Sequence, residues 1–141
     1  MKLTQLTAME AARQIAAGEI SSEDLLVACL KRIDEVDTDV QAWAHLDRDL
    51  ALKQARERDI ERGTSGACGM LHGLPIGIKD IFDTRDMPTE NGTPLHAGRQ
   101  PNTDATVVSL LHDAGAVIMG KTVTTELAVY APGKTRNPLN F

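Results

Sequence analysis

The sequence predicts an α/β fold in which N-terminal helices are followed by the opening strands of a mixed sheet flanked by helices. Capping signals and apolar residues at three- and four-residue spacing dominate residues 1–64, which we expect to be mainly helical. Two short apolar runs, LPIGIKDIF and AVIM, suit buried strands in residues 65–141, and a helical pattern lies between them. We therefore expect residues 1–141 to be the N-terminal part of one α/β domain.

Length and charge exclude several classes of protein. Domains of about 100–150 residues are the commonest, so 141 residues predict one domain. The formal charge of −5, without a basic cluster, argues against nucleic-acid binding. No apolar stretch is long enough for a signal peptide or a membrane span. Cys29 and Cys68 lack metal or redox spacing, which predicts free thiols in a cytoplasmic protein without metal or cofactor.

The first two helices carry clear start and stop signals. Thr7 and Glu10 have capping-box spacing, and Gly18 marks the end of the first helix. Ser21 and Asp24 repeat the signal before a second helix. The apolar face of this second helix contains Leu25, Leu26, Cys29, Ile33 and Val36.

A short strand and a charged helix follow. In VQAWAHLD, apolar residues from Val40 to Leu46 alternate with Gln41, Trp43 and His45, which favours a strand. Asp47 then caps a helix that Gly63 ends. The residues expected to face inward from this helix are Leu50, Ala51, Ala55 and Ile60.

Lys79 is the first residue of chemical interest, because it lies inside the apolar run LPIGIKDIF after a glycine-rich loop. In a strand, Ile76, Ile78 and Asp80 face one way, while Gly77 and Lys79 face the other. Lys79 either reaches solvent along its aliphatic stem or is buried, where desolvation lowers its pKa towards a value useful for proton transfer. Gly77 would leave room for a substrate or another side chain. Spacing alone leaves both alternatives open.

A helix and a strand are expected in the next segment. Asn102 or Thr103 caps the helix, Gly115 supplies a left-handed C-cap, and 116–119 form a buried strand with Lys121 at its end. The residues expected to face inward from the helix are Val107, Val108, Leu110, Leu111 and Ala114. Thr122 or Thr124 then caps a further helix through TTELAVYA.

Residues 115–122, GAVIMGKT, match the phosphate-binding pattern G-x-x-x-x-G-K-[ST]. That loop needs the order strand, loop, helix, with its amides turned to the phosphates. Here the order is helix, Gly115, strand, and the four residues that should form the loop are the strand itself. The context therefore argues against a nucleotide site, which we retain as the weaker alternative.

Four ordered segments resemble the first part of the amidase signature family, which includes bacterial amidases, fatty-acid amide hydrolase and the amidase subunit of tRNA-dependent amidotransferases. They are GLPIGIKDIFDT, PTENGT, DATVVSLLHDAGAVIMGKT with TEL, and GKTRNPLN. Val123, where the family often has asparagine, and Phe141 after NPLN depart from the pattern.

The resemblance implies a Ser–cis-Ser–Lys triad in which Lys79 matches the catalytic lysine. A serine needs a base to remove its proton, and a neutral lysine can act through an intervening serine hydroxyl. The serines of this chain are Ser21, Ser22, Ser65 and Ser109, and none lies in a glycine-serine-rich segment. We therefore expect an incomplete amidase that is inactive alone. The alternatives are a stand-alone interaction module or a truncated pseudo-enzyme.

The remaining candidates are interpreted as structural. His45, His72, His96 and His112 lack metal spacing, and Glu126 suits the first turn of a helix. Asn91 and Gly92 form a turn signal, in a region that lies near the substrate cleft of the resembling enzymes. Asp80 and Asp83 could steady Lys79 or the adjoining loop, and helix-cap or turn duty is favoured for Asp83. A small-molecule amide is the expected substrate of the complete protein. Uncovered sheet surface predicts homo-oligomers or other association.

Overall fold

A computed structural model describes residues 2–140 of the chain. Within these residues there are four α-helices and three strands, in the order α1 (Ala8–Ala17), α2 (Ser22–Val40), β1 (Trp43–Leu46), α3 (Arg48–Ser65), β2 (Pro75–Lys79), α4 (Thr106–Asp113) and β3 (Val117–Thr122). The central strand β3 pairs antiparallel with β1 and parallel with β2. The sheet is therefore mixed, and the predicted α/β class is confirmed.

Local capping signals predicted the helix starts well. The Thr7 hydroxyl accepts a hydrogen bond from the Glu10 backbone N–H, and the Glu10 carboxylate accepts one from the Thr7 N–H. Ser21 caps α2 through the Asp24 N–H, and Asp47 caps α3 through the Leu50 N–H. Each bond satisfies a backbone donor that has no partner inside its helix.

Both faces of the sheet are covered by apolar side chains. Helices α2 and α3 pack on one face, where the buried residues are Leu26, Leu30, Ala51, Ala55, Val117 and Met119. The opposite face packs under α4 and the segment before it, where the buried residues are Ile78, Met87, Val108 and Ile118. A third cluster joins α1 and α2 to Leu74, just before β2.

A register shift in β3 changes which side chains share a face. Ile76 pairs with Ile118, but the next residue, Gly77, pairs with Gly120, so β3 holds one extra residue. Such a β-bulge reverses the alternation of the residues that follow it. Lys121 therefore pairs with Ile78 and shares the face of Ile118, although residues three apart in a regular strand point to opposite faces.

Several predicted boundaries in the first half were wrong. Helix α2 continues to Val40, so β1 begins at Trp43. Helix α3 passes Gly63 and ends at Ser65, followed by Gly66 at φ +82°. Ile60, expected to face inward, is 67% exposed, because α3 is covered by the core along the Ala51 and Ala55 side.

The second half differs more from the prediction. Asn102 and Thr103 do not cap α4, which begins after Ala105 without a side-chain cap. Of its expected inward residues, Val108 is buried and Leu111 and Ala114 are partly buried, whereas Val107 and Leu110 are exposed. The strand expected at 116–119 runs on to Thr122. The helix expected through TTELAVYA is a single 3-10 turn, Glu126–Ala128.

No helix within residues 2–140 is long and apolar enough to cross a membrane.

Candidate active site

Lys79 is the last residue of β2, at the carboxyl end of the parallel strand pair. It lies opposite Thr122 of β3, and the next residue, Asp80, donates its backbone N–H to the Thr122 carbonyl at 2.9 Å. The Lys79 carbonyl accepts hydrogen bonds from the backbone N–H groups of Ile81, at 2.8 Å, and Phe82, at 3.1 Å. The Lys79 backbone is thus held between the sheet and a tight turn. In open α/β sheets, ligands bind outside the carboxyl ends of the strands.

The Lys79 side chain lies on the face that the alternation predicted. Ile78 and Asp80 are buried on one side of β2, while Gly77 and Lys79 are exposed on the other. A Cβ on Gly77 would lie 2.8 Å from the Thr122 methyl carbon and 3.0 Å from the Trp43 ring, so the space beside Gly77 is taken by these side chains. Among residues 2–140, no hydrogen bond or ion pair reaches the Lys79 amine. Within this chain Lys79 therefore takes the solvent-exposed alternative.

Lys121 is the buried lysine of this region, which the sequence did not indicate. Its side chain is fully buried, with a solvent exposure of 0%. Its Nζ lies 3.2 Å from an Asp80 carboxylate oxygen and donates to the Pro88 carbonyl at 3.1 Å and to the Thr89 hydroxyl. Three acceptors match the three N–H groups of an ammonium. Lys121 thus lies near the end of β3 as predicted, and it is an internal ion-pair partner there.

Burial and charge act in opposite directions on Lys121. Desolvation lowers the pKa of Lys121, and the neighbouring Asp80 carboxylate raises this pKa in part, through Coulombic attraction and a hydrogen bond. The net shift of the pKa is downward. The sequence held no signal for this arrangement, because Asp80 lies inside the run LPIGIKDIF, Lys121 follows AVIM and Gly120, and neither pattern shows that the two side chains meet.

The segment from residue 80 to residue 99 is fastened around the same buried centre. Thr89, fully buried, donates its hydroxyl to the Phe82 carbonyl at 3.3 Å and its backbone N–H to the Arg99 carbonyl at 2.9 Å. Arg99 forms a bidentate ion pair with Asp83 at 2.6 and 2.8 Å. This partner lowers the pKa of the Asp83 carboxyl. Asp83 therefore steadies the loop through Arg99, which is one of the roles expected for it but not the favoured helix-cap or turn duty.

Asp80 belongs to Lys121 and not to Lys79. Besides the ion pair, its carboxylate accepts from the Glu90 N–H at 3.3 Å, and its carbonyl accepts from the Asn91 N–H at 3.0 Å. Asn91 and Gly92 form the predicted turn, at φ +55° and +64°. The end of β2 and the turn at 91–92 are consequently held by the same residue.

The phosphate-loop pattern is not folded as a phosphate loop. Gly115, at φ +86°, ends α4, and the residues after it are β3, in which 117–121 are buried. Lys121, which would have to reach a phosphate, is instead paired with Asp80. The predicted order helix, Gly115, strand is confirmed.

The four serines have other local roles. Ser21 caps α2, and the buried Ser22 donates its hydroxyl to the Gly73 carbonyl at 2.8 Å. Ser65 ends α3, and Ser109 is exposed on α4. None of them is hydrogen-bonded to Lys79 within the described part of the chain.

His72 and His96 have hydrogen-bond partners close to them in the chain or the fold. His72 is buried, accepts from the Cys68 N–H through Nδ1 at 3.1 Å and has Nε2 2.9 Å from the Arg58 carbonyl, which places its proton on Nε2. His96 accepts from the Asn91 amide nitrogen at 2.9 Å, assigned from the hydrogen-bond pattern. Both cysteines are free thiols. Across residues 2–140 no group of side chains has the arrangement of a metal site.

A family model described as Amidase matches residues 24–140. The chain belongs to the amidase signature family. It is 43% identical to a subunit of the glutamyl-tRNA(Gln) amidotransferase of Thermobifida fusca, over 97% of this chain and 29% of that protein. It is 44% identical to the same subunit of Acidothermus cellulolyticus over 96% of this chain and 28% of that protein. The chain thus spans less than a third of these relatives.

Solved structures of this family share the fold. A fatty acid amide hydrolase superposes with a TM-score of 0.89 and 32% identity, over 98% of this chain and 26% of that one. The native peptide amidase of Stenotrophomonas maltophilia superposes with a TM-score of 0.86 and 36% identity, over 95% of this chain and 30% of that one. The predicted resemblance and the partial match to the amidase fold are therefore confirmed.

Proposed function

We propose that residues 1–141 supply the base, Lys79, of an amidase that hydrolyses a carboxamide with a Ser–cis-Ser–Lys triad. The observation that carries the proposal is the position of Lys79 at the carboxyl end of β2. Support comes from the segment GLPIGIKDIFDT, which resembles the lysine segment of the family and lies within the residues that the family model matches. Residues 1–141 are proposed to be the N-terminal part of a single amidase domain. Both serines would come from residues outside these 141.

The proposed reaction proceeds in two halves. Neutral Lys79 takes the proton of the bridging serine while that serine takes the proton of the nucleophilic serine, whose oxygen attacks the amide carbon. The C–N bond then breaks, the amine leaves with a proton returned through the same two groups, and an acyl-enzyme remains. Water, activated by the same base, forms the new C–O bond and releases the acid.

Lys79 must be deprotonated to act as this base. In the 141 residues its side chain is exposed to solvent. We propose that the remaining part of the amidase covers the Gly77 and Lys79 face and desolvates the amine, because desolvation disfavours the ammonium. Without that cover and without both serines, the 141 residues should be inactive.

The proposal extends to the substrate class and to association with other chains. A small-molecule carboxamide fits the family, whose members include a fatty acid amide hydrolase and a peptide amidase. Exposed apolar side chains such as Tyr130, Val129 and Leu95 support association with another chain or another copy. A cytoplasmic location stays a prediction from the sequence.

The test uses a chain in which residues 1–141 are followed by a segment that carries both serines. Lys79→Met keeps much of the stem and removes the base, so amide turnover should fall by about 10²–10⁴ or more while folding survives. Lys53→Met, at an α3 lysine with 72% exposed side chain, is the matched control and should leave turnover within a few-fold. Near-normal turnover of Lys79→Met at equal folded concentration would contradict the proposal, as would turnover by the 141-residue chain alone.

A further inference from the structure

We propose that Lys121 is a positioning residue that fixes the carboxyl end of β2, and with it the backbone of Lys79, from inside the fold. The proposal rests on the proposed function, because Lys79 matters only if it is the base. Lys121 touches no reacting atom, and its ammonium joins the end of β2 to residues 88–89.

The first step is the location of Lys121 in the sheet. The bulge that adds a residue to β3 gives the pairs Ile78 with Lys121 and Lys79 with Thr122. Paired residues of neighbouring strands share a face of the sheet, so the Lys121 side chain lies on the same face as Ile78, while the Lys79 side chain lies on the opposite face. The two lysines are thus neighbours across the strand pair with their side chains on opposite sides of the sheet.

The second step is what the ammonium holds. One partner, Asp80, is the residue directly after Lys79 in the chain. The other partners, the Pro88 carbonyl and the Thr89 hydroxyl, belong to the segment that returns towards the sheet after the turn. Through these three contacts one side chain of β3 connects the end of β2 with residues 88–89.

The third step is that the hydrogen bonds and ion pairs without Lys121 do not fix residues 88–89 to β3. Asp80 also receives the Glu90 N–H, and its carbonyl receives the Asn91 N–H, so residues 90–91 follow the position of Asp80. Arg99 and Asp83 fasten the outer part of the segment at a partly exposed site. Because Lys121 is the cation in direct contact with buried Asp80, its removal would leave this carboxylate unpaired and free residues 88–89 from β3.

The fourth step separates positioning from simple stabilisation. Lys121→Met leaves a buried unpaired carboxylate and should lower the melting temperature strongly. The double variant Lys121→Met with Asp80→Asn leaves no buried charge, so most of the melting temperature should return. If Lys121 positions the strand end, the double variant still lacks the donor that holds residues 88–89, and the geometry around Lys79 stays altered.

The experiment records amide signals and hydrogen exchange by ¹H–¹⁵N NMR in the 141-residue chain. In the double variant we expect at least about tenfold faster exchange for the amide of Asn91, which donates to the carbonyl of residue 80, with the α2 and α3 amides unchanged. Lys53→Met is the control and should leave all of these signals in place. A double variant with wild-type melting and wild-type amide exchange at Lys79 and at residues 89–91 would overturn the proposal.

A measurement on the unaltered chain covers the case in which the variants do not fold. The Lys121 ammonium protons, buried and bonded to three acceptors, should exchange slowly enough to give their own ¹H–¹⁵N signal, whereas those of exposed Lys53 should not. Loss of the Lys121 signal into the fast-exchanging group would overturn the proposal without any variant. These readouts do not depend on turnover, so a failure of the proposed function through Lys79→Met would be distinguishable from a failure here.

Discussion

Substitution of Gly115 by alanine tests the interpretation of the segment GAVIMGKT as a helix end and a strand. Gly115 has φ +86°, a region that costs an L-residue about 1–2 kcal/mol. A Cβ at this position would lie 2.6 Å from the Cys68 carbonyl oxygen and 2.8 Å from the His72 Cα. Both atoms are backbone, so the loop from residue 66 to residue 73 would have to move.

The expected loss can be worked from the bonds that fasten this loop. The Leu71 N–H donates to the Ala114 carbonyl at 3.0 Å, and the Gly73 N–H donates to the Gly115 carbonyl at 2.8 Å. Weakening these two bonds costs about 1 kcal/mol each. Together with the backbone strain, Gly115→Ala should lower the free energy of unfolding by about 3–4 kcal/mol. The melting temperature should fall by about 10–15 °C.

Gly63→Ala is the matched control, because it makes the same chemical change without a left-handed backbone angle and without a collision of the added Cβ. Gly63 lies inside α3, and a Cβ there would meet no atom within 4 Å. Alanine in a helix is favoured over glycine by about 0.5–1 kcal/mol, so this variant should be slightly stabilised. The assay is thermal and urea unfolding followed by circular dichroism. The reasoning is refuted if the free energies of unfolding of the two variants agree within about 1 kcal/mol, because movement of the 66–73 loop would then have no measurable cost.

Three further outcomes are expected. Burial raises the pKa of the Cys29 thiol, so iodoacetamide should label the exposed Cys68 before Cys29. Mass spectrometry measures the two labelling rates, and equal rates would contradict the burial of Cys29 on α2. Since Arg99 lowers the pKa of Asp83, the stability from this pair is present above about pH 4 and is lost as the pH falls through the lowered pKa; Asp83→Asn should flatten that acid dependence slightly in unfolding curves, and an unchanged slope would count against the pair. Calorimetric titration with Mg²⁺ and ATP should give no binding heat, and micromolar binding to the folded chain would reinstate the nucleotide site.

Features set by neighbouring residues were predictable from the sequence. Thr7 with Glu10, Ser21 with Asp24 and Asp47 all cap helices as predicted, because a cap needs partners within three residues. The alternation around Lys79 was also right, since β2 itself is regular. The family followed from ordered segments whose spacing tolerates errors in the element boundaries.

Features set by distant partners were not predictable in the same way. The Ala105 N–H donates to the Asp83 carbonyl and Asp104 accepts from the Arg85 N–H, so the residues before α4 serve the 80–99 segment and the helix starts later. The Leu127 N–H donates to the Asn91 carbonyl, which holds Leu127 at φ +47° and prevents a regular helix there. In both cases a tertiary bond outweighs a local helical preference.

The faces on which Lys79 and Lys121 lie depend on the extra residue in β3, which is set by pairing with distant strands. Lys79 and Lys121 each follow an apolar run, and strict alternation along β3 would put Lys121 on the helix-packed face of Val117 and Met119. The extra residue in β3 reverses this, and Gly120 makes it feasible, because a Cβ there would collide with the His45 carbonyl of β1. One glycine in the pairing of three strands thus allows one lysine to be buried against Asp80 while the other lies exposed on the face of Trp43. No pattern within a single strand could have separated their roles, since the cause lies in how β3 is paired with both of its neighbours.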